Sequence, residues 1–291
     1  MSVGRALRRT ARIGLRLLLV LLIFALGAAL WLVLDARRTP TGNPEYVALG
    51  SSYAAGAGLG SRQPGSPRLC QRSDDGYPPR LARKLGLSFV DMTCSGSVTR
   101  HVRGGSQFFQ HAQIRTLDRR TQLVTITVGG NDVGFVRDLY LLAERNSNTA
   151  LGWLVRKVWN GPPPIGRRNY GKLHGELKTL FRTIRERAPD AKIVVATYPA
   201  VLPRRGTCRQ LRLSSAEVDL MRGVEDRLAA VTRSAAEGGE ATVVDMHALG
   251  ARHHACSALP WMRGWGTVSQ SPFHPTVLGA QATADAIAAA I

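Results

Sequence analysis

Three short segments carry side chains suited to acyl-transfer chemistry. Tyr46–Leu49 reads as an apolar strand that breaks at Gly50 into a small-residue loop presenting two hydroxyls, Ser51 and Ser52. Val124–Val128 is a second apolar run and ends in Gly129-Gly130-Asn131-Asp132. Ser271-Pro272-Phe273-His274-Pro275 sets a histidine just before a C-terminal helical pattern. A serine becomes a nucleophile when a base takes its proton, imidazole is such a base, and a side-chain amide can donate to a developing oxyanion. Taken singly, a Gly/Ser loop only turns the chain and an asparagine only caps a strand end. Together the three supply a nucleophile, an oxyanion donor and a base.

Elements that could position these groups alternate along the chain. Tyr46–Leu49, Leu87–Met92, Leu123–Val128, Lys192–Ala196 and Ala241–Asp245 are short apolar runs that read as strands. Helical patterns cover Pro78–Leu85, Lys172–Arg187, Ala216–Ala236 and Thr276–Ile291, the third opening on a Ser214/Glu217 capping box. Such alternation predicts an α/β domain with a parallel sheet and helices on both faces. Ser52, a glycine at Gly96 and Asn131 then fall at the carboxyl ends of strands, where open α/β sheets place their sites. Val136–Pro164 clusters Leu139, Leu142, Trp153, Leu154 and Trp159, as either a lid or an extra packed helix pair. Tyr198-Pro199, just past a strand, is placed at the rim of the site.

In this order the segments resemble the SGNH (GDSL-type) hydrolases, in particular their secreted, disulfide-bearing esterases, lipases and phospholipases. The family's G-D-S block matches Gly50-Ser51-Ser52, its second-block glycine matches Gly96 in Cys94-Ser95-Gly96-Ser97, and its G-x-N-D block matches Gly129–Asp132. Its D-x-x-H-P block matches Ser271–Pro275, so that the likeness covers residues 44–291. The resemblance implies a three-layer sandwich and a serine ester hydrolase that needs no metal or organic cofactor. It implies Ser52 as nucleophile, His274 as base, and an oxyanion hole from the N–H groups of Ser52 and Gly96 with the Asn131 amide. Two positions depart from the family. Ser51 replaces an aspartate, and Ser271 replaces the acid that normally orients the histidine. Some members of this branch also lack that acid and use a backbone carbonyl three residues upstream, here that of Ser271. Asp245 is the alternative acid. A catalytically silent envelope-binding module and an acyltransferase using the same residues are the competing functions.

The N-terminus is organised differently. Arg5, Arg8, Arg9, Arg12 and Arg16 precede an uncharged apolar run, Leu17 to Leu34. Those 18 residues make a helix of ~27 Å, close to the hydrocarbon thickness of a bilayer. The arginine bias predicts an uncleaved signal anchor with its N-terminus inside and the domain outside the cytoplasm. A cleaved signal peptide is the rival, but its best site, Ala25-Leu26-Gly27, lies within the run. The expected organisation is a basic arm at 1–16, a transmembrane segment at 17–34, a linker at 35–44 and a hydrolase domain at 45–291.

Cys70, Cys94, Cys208 and Cys256 form an even set, which outside the cytoplasm predicts two disulfides. Arithmetic allows three pairings, and the family resemblance favours Cys70–Cys94 with Cys208–Cys256. No C-x-x-C spacing supports a metal, and His253-His254 beside Cys256 read as part of a stapled loop. His247, near Asp245, completes the inventory of candidate polar groups. The net charge is +19, of which the first 44 residues carry seven arginines against one aspartate. No nucleic-acid recognition motif accompanies this charge. The expected partners are an ester or lipid substrate, the membrane and anionic envelope surfaces.

Overall fold

In the computed structural model, residues 3–38, 40, 42, 44–238, 241–266 and 271–291 are described, with side chains from residue 14 onward. Five strands alternate with helices. They are β1 (Tyr46–Gly50), β2 (Phe89–Asp91), β3 (Leu123–Thr127), β4 (Lys192–Ala196) and β5 (Thr242–Val244). The helices are α1 (Val3–Ala36), α2 (Ser52–Ala55), α3 (Tyr77–Leu85), α4 (Thr99–Gly104), α5 (Phe135–Arg145), α6 (Ala150–Val158), α7 (Tyr170–Arg187), α8 (Ser215–Ala236), α9 (Met246–Leu249) and α10 (Val277–Ala289). All strand pairs are parallel, in the order β2-β1-β3-β4-β5. A parallel sheet needs a crossover between neighbours, and here helices supply the crossovers and cover both faces.

Alternation along each strand divides the core in two. Val47, Leu49, Val124, Ile126, Ile193 and Val195 face the larger cluster, which buries Leu139 and Leu142 of α5, Leu177 and Phe181 of α7, and Val224 and Leu228 of α8. Tyr46, Ala48, Leu123, Val194 and Ala196 face the smaller cluster with Leu81 of α3 and Ile287 of α10. Strands buried on both sides read as continuous apolar runs, which is why the sequence showed them so plainly.

Several elements differ from expectation. The second and fifth strands are shorter than the predicted Leu87–Met92 and Ala241–Asp245, because pairing lasts only where a neighbour runs alongside. The segment at 136–164 forms the pair α5 and α6, with α5 packed into the core and α6 leaving Trp153 and Val158 exposed. The apolar segment and its basic approach form a single helix, α1. Its end docks on the domain: Asp35 and Ala36 are buried, and the Asp35 carboxylate accepts the Arg68 N–H at 2.8 Å. The expected linker therefore begins within packed structure, and Thr39, Thr41 and Asn43 of it lie outside the described residues.

Cys70–Cys94 and Cys208–Cys256 are both disulfides, spanning 24 and 48 residues. His253 stacks on Trp261 with ring centroids 4.3 Å apart, and His254 accepts the Cys256 N–H through Nδ1, so both histidines belong to the stapled loop.

Phe181 sits fully buried where α7 meets the sheet. Phe181→Ala is expected to lower the unfolding free energy by about 3–5 kcal/mol in urea titrations followed by circular dichroism. A loss below about 1 kcal/mol would contradict a close-packed interface at this face.

Candidate active site

The carboxyl ends of β1 and β3 open on one edge of the sheet. The chain leaves β1 through Gly50, whose φ is 139°, and a Cβ there would run into the Thr127 carbonyl of β3. Glycine alone fits this conformation. Ser51 N–H donates to the same carbonyl at 3.0 Å, tying the loop to the neighbouring strand. Ser52 follows as the first residue of α2.

Ser52 Oγ lies 2.7 Å from His274 Nε2, although the two residues are 222 positions apart in the chain. On the far side of the ring, Nδ1 lies 2.8 Å from the Pro272 carbonyl oxygen. A carbonyl only accepts, so Nδ1 carries the proton and Nε2 keeps its lone pair for the Ser52 hydroxyl. The carbonyl in this contact is one residue nearer the histidine than Ser271, the position drawn from the resemblance. Ser271 and Phe273 both have positive φ, 51° and 60°, and the chain coils tightly enough to turn the Pro272 carbonyl toward the ring. The Ser271 backbone also favours the charged ring, by less.

Positive φ outside glycine costs of order 1–3 kcal/mol per residue, so its surroundings must hold it. The Phe273 side chain is fully buried beside Trp265. Tyr53 Oη donates to the Phe273 carbonyl at 2.5 Å, Phe273 N–H to Gly264 O at 3.1 Å, and Arg263 N–H to His274 O at 2.9 Å. Burial pushes the His274 imidazole down to about 4, helped by the Arg263 charge and opposed by the backbone carbonyls.

Gly96 has φ 81° and sits in a brace of buried amides. Gln107 donates to Ser95 O at 2.6 Å and accepts the Ser97 hydroxyl, and its Nε2 lies 3.0 Å from where a Gly96 Cβ would project. Gln113 pairs with Gly50 in both directions, accepting its N–H at 2.7 Å and donating to its carbonyl at 3.0 Å. It donates also to Ser97 Oγ at 3.0 Å, joining the nucleophile loop to the Gly96 segment. Asn131 Nδ2 donates to Ser97 O at 2.9 Å. Ser52, Gly96, Asn131 and His274 thus share one bonded neighbourhood.

Tyr198 is buried beneath this neighbourhood rather than on its rim, its hydroxyl bonded to Ser51 Oγ at 3.0 Å and to Gly130 N–H at 3.1 Å. It anchors the serine that stands in place of the family aspartate. Asp245 has other partners: Thr197 at 3.0 Å, Arg233 at 3.0 Å and the N–H of Ala248 in α9. His247 pairs with Asp226 at 3.2 Å. Among the described residues no group of His, Cys, Asp and Glu is arranged to hold a metal.

Residues 48–282 match the model of the GDSL-like lipase/acylhydrolase family, and the chain belongs to that family. It is 30% identical to Lipase 1 of Streptomyces coelicolor over 89% of this chain and 91% of that protein. Its fold is similar to the extracellular lipase of Streptomyces rimosus, with a TM-score of 0.69 and 29% identity over 84% of this chain and 99% of that one. It is similar also to the phospholipase A1 of Streptomyces albidoflavus NA297, with a TM-score of 0.67 and 28% identity over 84% and 98%. The protein is a carboxylic ester hydrolase of the lipase/esterase type.

A general base works in its neutral form. Activity carried by His274 should therefore persist well below the usual histidine range. The acid limb of kcat/KM for a neutral p-nitrophenyl ester should fall near pH 4, the value to which burial pushes this ring. A midpoint at about 6.5, the unperturbed histidine value, would contradict a desolvated imidazole.

Proposed function

We propose that the protein hydrolyses lipid or related acyl esters through a Ser52–His274 dyad, and that α1 anchors it in a membrane with the domain outside the cytoplasm. The observation that carries the dyad is the His274 ring itself, with Nε2 at the Ser52 hydroxyl and Nδ1 at a main-chain carbonyl. His274 takes the hydroxyl proton as Ser52 Oγ attacks the ester carbonyl. The tetrahedral oxyanion is met by the N–H groups of Ser52 and Gly96 and by the Asn131 amide. His274 then gives its proton to the leaving alcohol, and water repeats the sequence on the acyl-enzyme.

In most serine hydrolases a carboxylate orients the base and stabilises the imidazolium. Here the Pro272 carbonyl orients it, and the depressed pKa marks the cost of charging the ring in this environment. A lipid substrate accords with the relatives named as lipases and with the one named as a phospholipase A1.

The anchor rests on α1. Gly14–Ala36 is 23 residues long with a mean hydropathy of 3.0, and none of its most apolar window is buried by the domain. The five arginines before Leu17 orient its start toward the cytoplasm. On this reading 1–16 is a basic arm, 17–34 the span and 45–291 the catalytic domain.

Ser52→Ala and His274→Ala should each lower turnover of a p-nitrophenyl ester by at least ~10³-fold, and Ser52→Ala should abolish labelling by a fluorophosphonate probe. Ser51→Ala, Ser271→Ala and Asp245→Asn, once shown to be folded, should each cost less than about tenfold, because none of these side chains acts on the reacting atoms. Collapse in folded Asp245→Asn would install a distant acid in the mechanism. Labelling mapped to Ser51 would displace the nucleophile.

A further inference from the structure

Two phenylalanines face solvent where the apolar helix meets the domain. The 3-10 turn Gln107–Phe109 packs against α1, and a small cavity there is shared by Ala36, Arg38, Gln110 and His111. Phe108 is 47% exposed and Phe109 63%, and both adopt positive φ, 45° and 65°. An aromatic pair held outward on unfavourable backbone indicates a surface that something else covers.

The surroundings say what covers it. The span from Leu17 to Leu34 is ~27 Å long, so the bilayer ends near the level of Asp35, one helical turn past Trp31. Trp31 is half-exposed and lies under the Arg68 guanidinium at 5.4 Å, a placement suited to the headgroup layer. Leu69, beside Arg68, is 41% exposed. Desolvation lowers the His111 pKa, and the nearby Arg115 and Arg37 charges lower it further. Apolar side chains within a basic collar, continuous with a membrane-length helix, match an anionic lipid surface.

The same turn reaches the catalytic edge. Gln107, next to Phe108, clamps both Ser95 and Ser97 and so holds Gly96 between them. We infer that Phe108 and Phe109 seat at the headgroup–acyl boundary of the bilayer that α1 crosses, and that this seating steadies the Gly96 segment while a lipid ester enters from the membrane. The inference rests on the membrane reading above. It adds a docking face, an occupant (an anionic bilayer), and a route by which the surface bears on the site.

The test uses the full-length protein in vesicles of phosphatidylcholine and phosphatidylglycerol. An environment-sensitive fluorophore is placed on the cysteine of Phe109→Cys, with Lys178→Cys, at an exposed position of α7, as the reference. In floated vesicles the label at 109 should shift to the blue and be quenched by lipids with shallow nitroxides, and the label at 178 should not. In Phe108→Ser/Phe109→Ser the ratio of turnover on a vesicle-borne long-chain ester to turnover on a water-soluble acetate ester should fall about tenfold or more. Equal quenching at 109 and 178, or a ratio that moves less than about twofold, overturns the inference. Failure to float overturns the membrane reading and the inference together. Quenching at 109 in a protein unaffected by Ser52→Ala overturns the dyad alone.

Discussion

The contact between Ser52 and His274 depends on a loop whose main chain, in the dyad proposed above, takes the place of a carboxylate. A carboxylate tolerates some error in position because its charge acts over distance, whereas a neutral carbonyl orients an imidazole only when distance and direction are both right. The loop is accordingly over-determined. Phe273 is driven fully into the core, Tyr53 holds its carbonyl, and Met262 and Pro275 form an antiparallel bridge beneath. Residues 271 and 273 remain in left-handed conformations because three independent restraints oppose their relaxation. The packing energy of the aromatic cluster is thereby converted into orientation of one ring.

The sheet supplies the second constraint. Parallel register places Gly50 beside Thr127, so the residues following β1 and β3 emerge together. Gln113 then fixes their separation through one buried amide that pairs with Gly50 and reaches Ser97. A buried amide left without partners costs more than its hydrogen bonds contribute in water, so this brace is held by the penalty for breaking it. The disulfide Cys70–Cys94 staples the same region two residues before Gly96, and the Cys94 N–H donates to the Gly50 carbonyl at 3.0 Å.

Much of this was legible in the chain because it is local. The central strands β1 and β3 are buried throughout and β4 is buried after its first residue, while α3, α7, α8 and α10 carry a helical period, so these elements are found within a few residues. Ser52, Gly96, Asn131 and His274 stand at element boundaries within short motifs, and the structure brings them into one neighbourhood. Helices α2, α4 and α9 were not seen, since four to six residues show no period. Gln107, Gln113, Tyr53 and Tyr198 were invisible as site residues, or misplaced, because their partners lie 10 to 220 positions away and no local pattern marks such pairs. The carbonyl at His274 differed by one residue for a related reason: spacing along a chain does not reveal where two residues take positive φ.

The proposed dyad requires a neutral His274, protonated on Nδ1 and bonded to a main-chain carbonyl, that presents a free Nε2 to Ser52. Nitrogen-15 NMR of the histidine side chains, with His274 assigned through a His274→Gln comparison, reads this directly. At neutral pH Nδ1 should be protonated and hydrogen-bonded and Nε2 unprotonated, with no change until the pH approaches about 4. A ring protonated on Nε2 alone, or one already doubly protonated near pH 6.5, the unperturbed value, would contradict it.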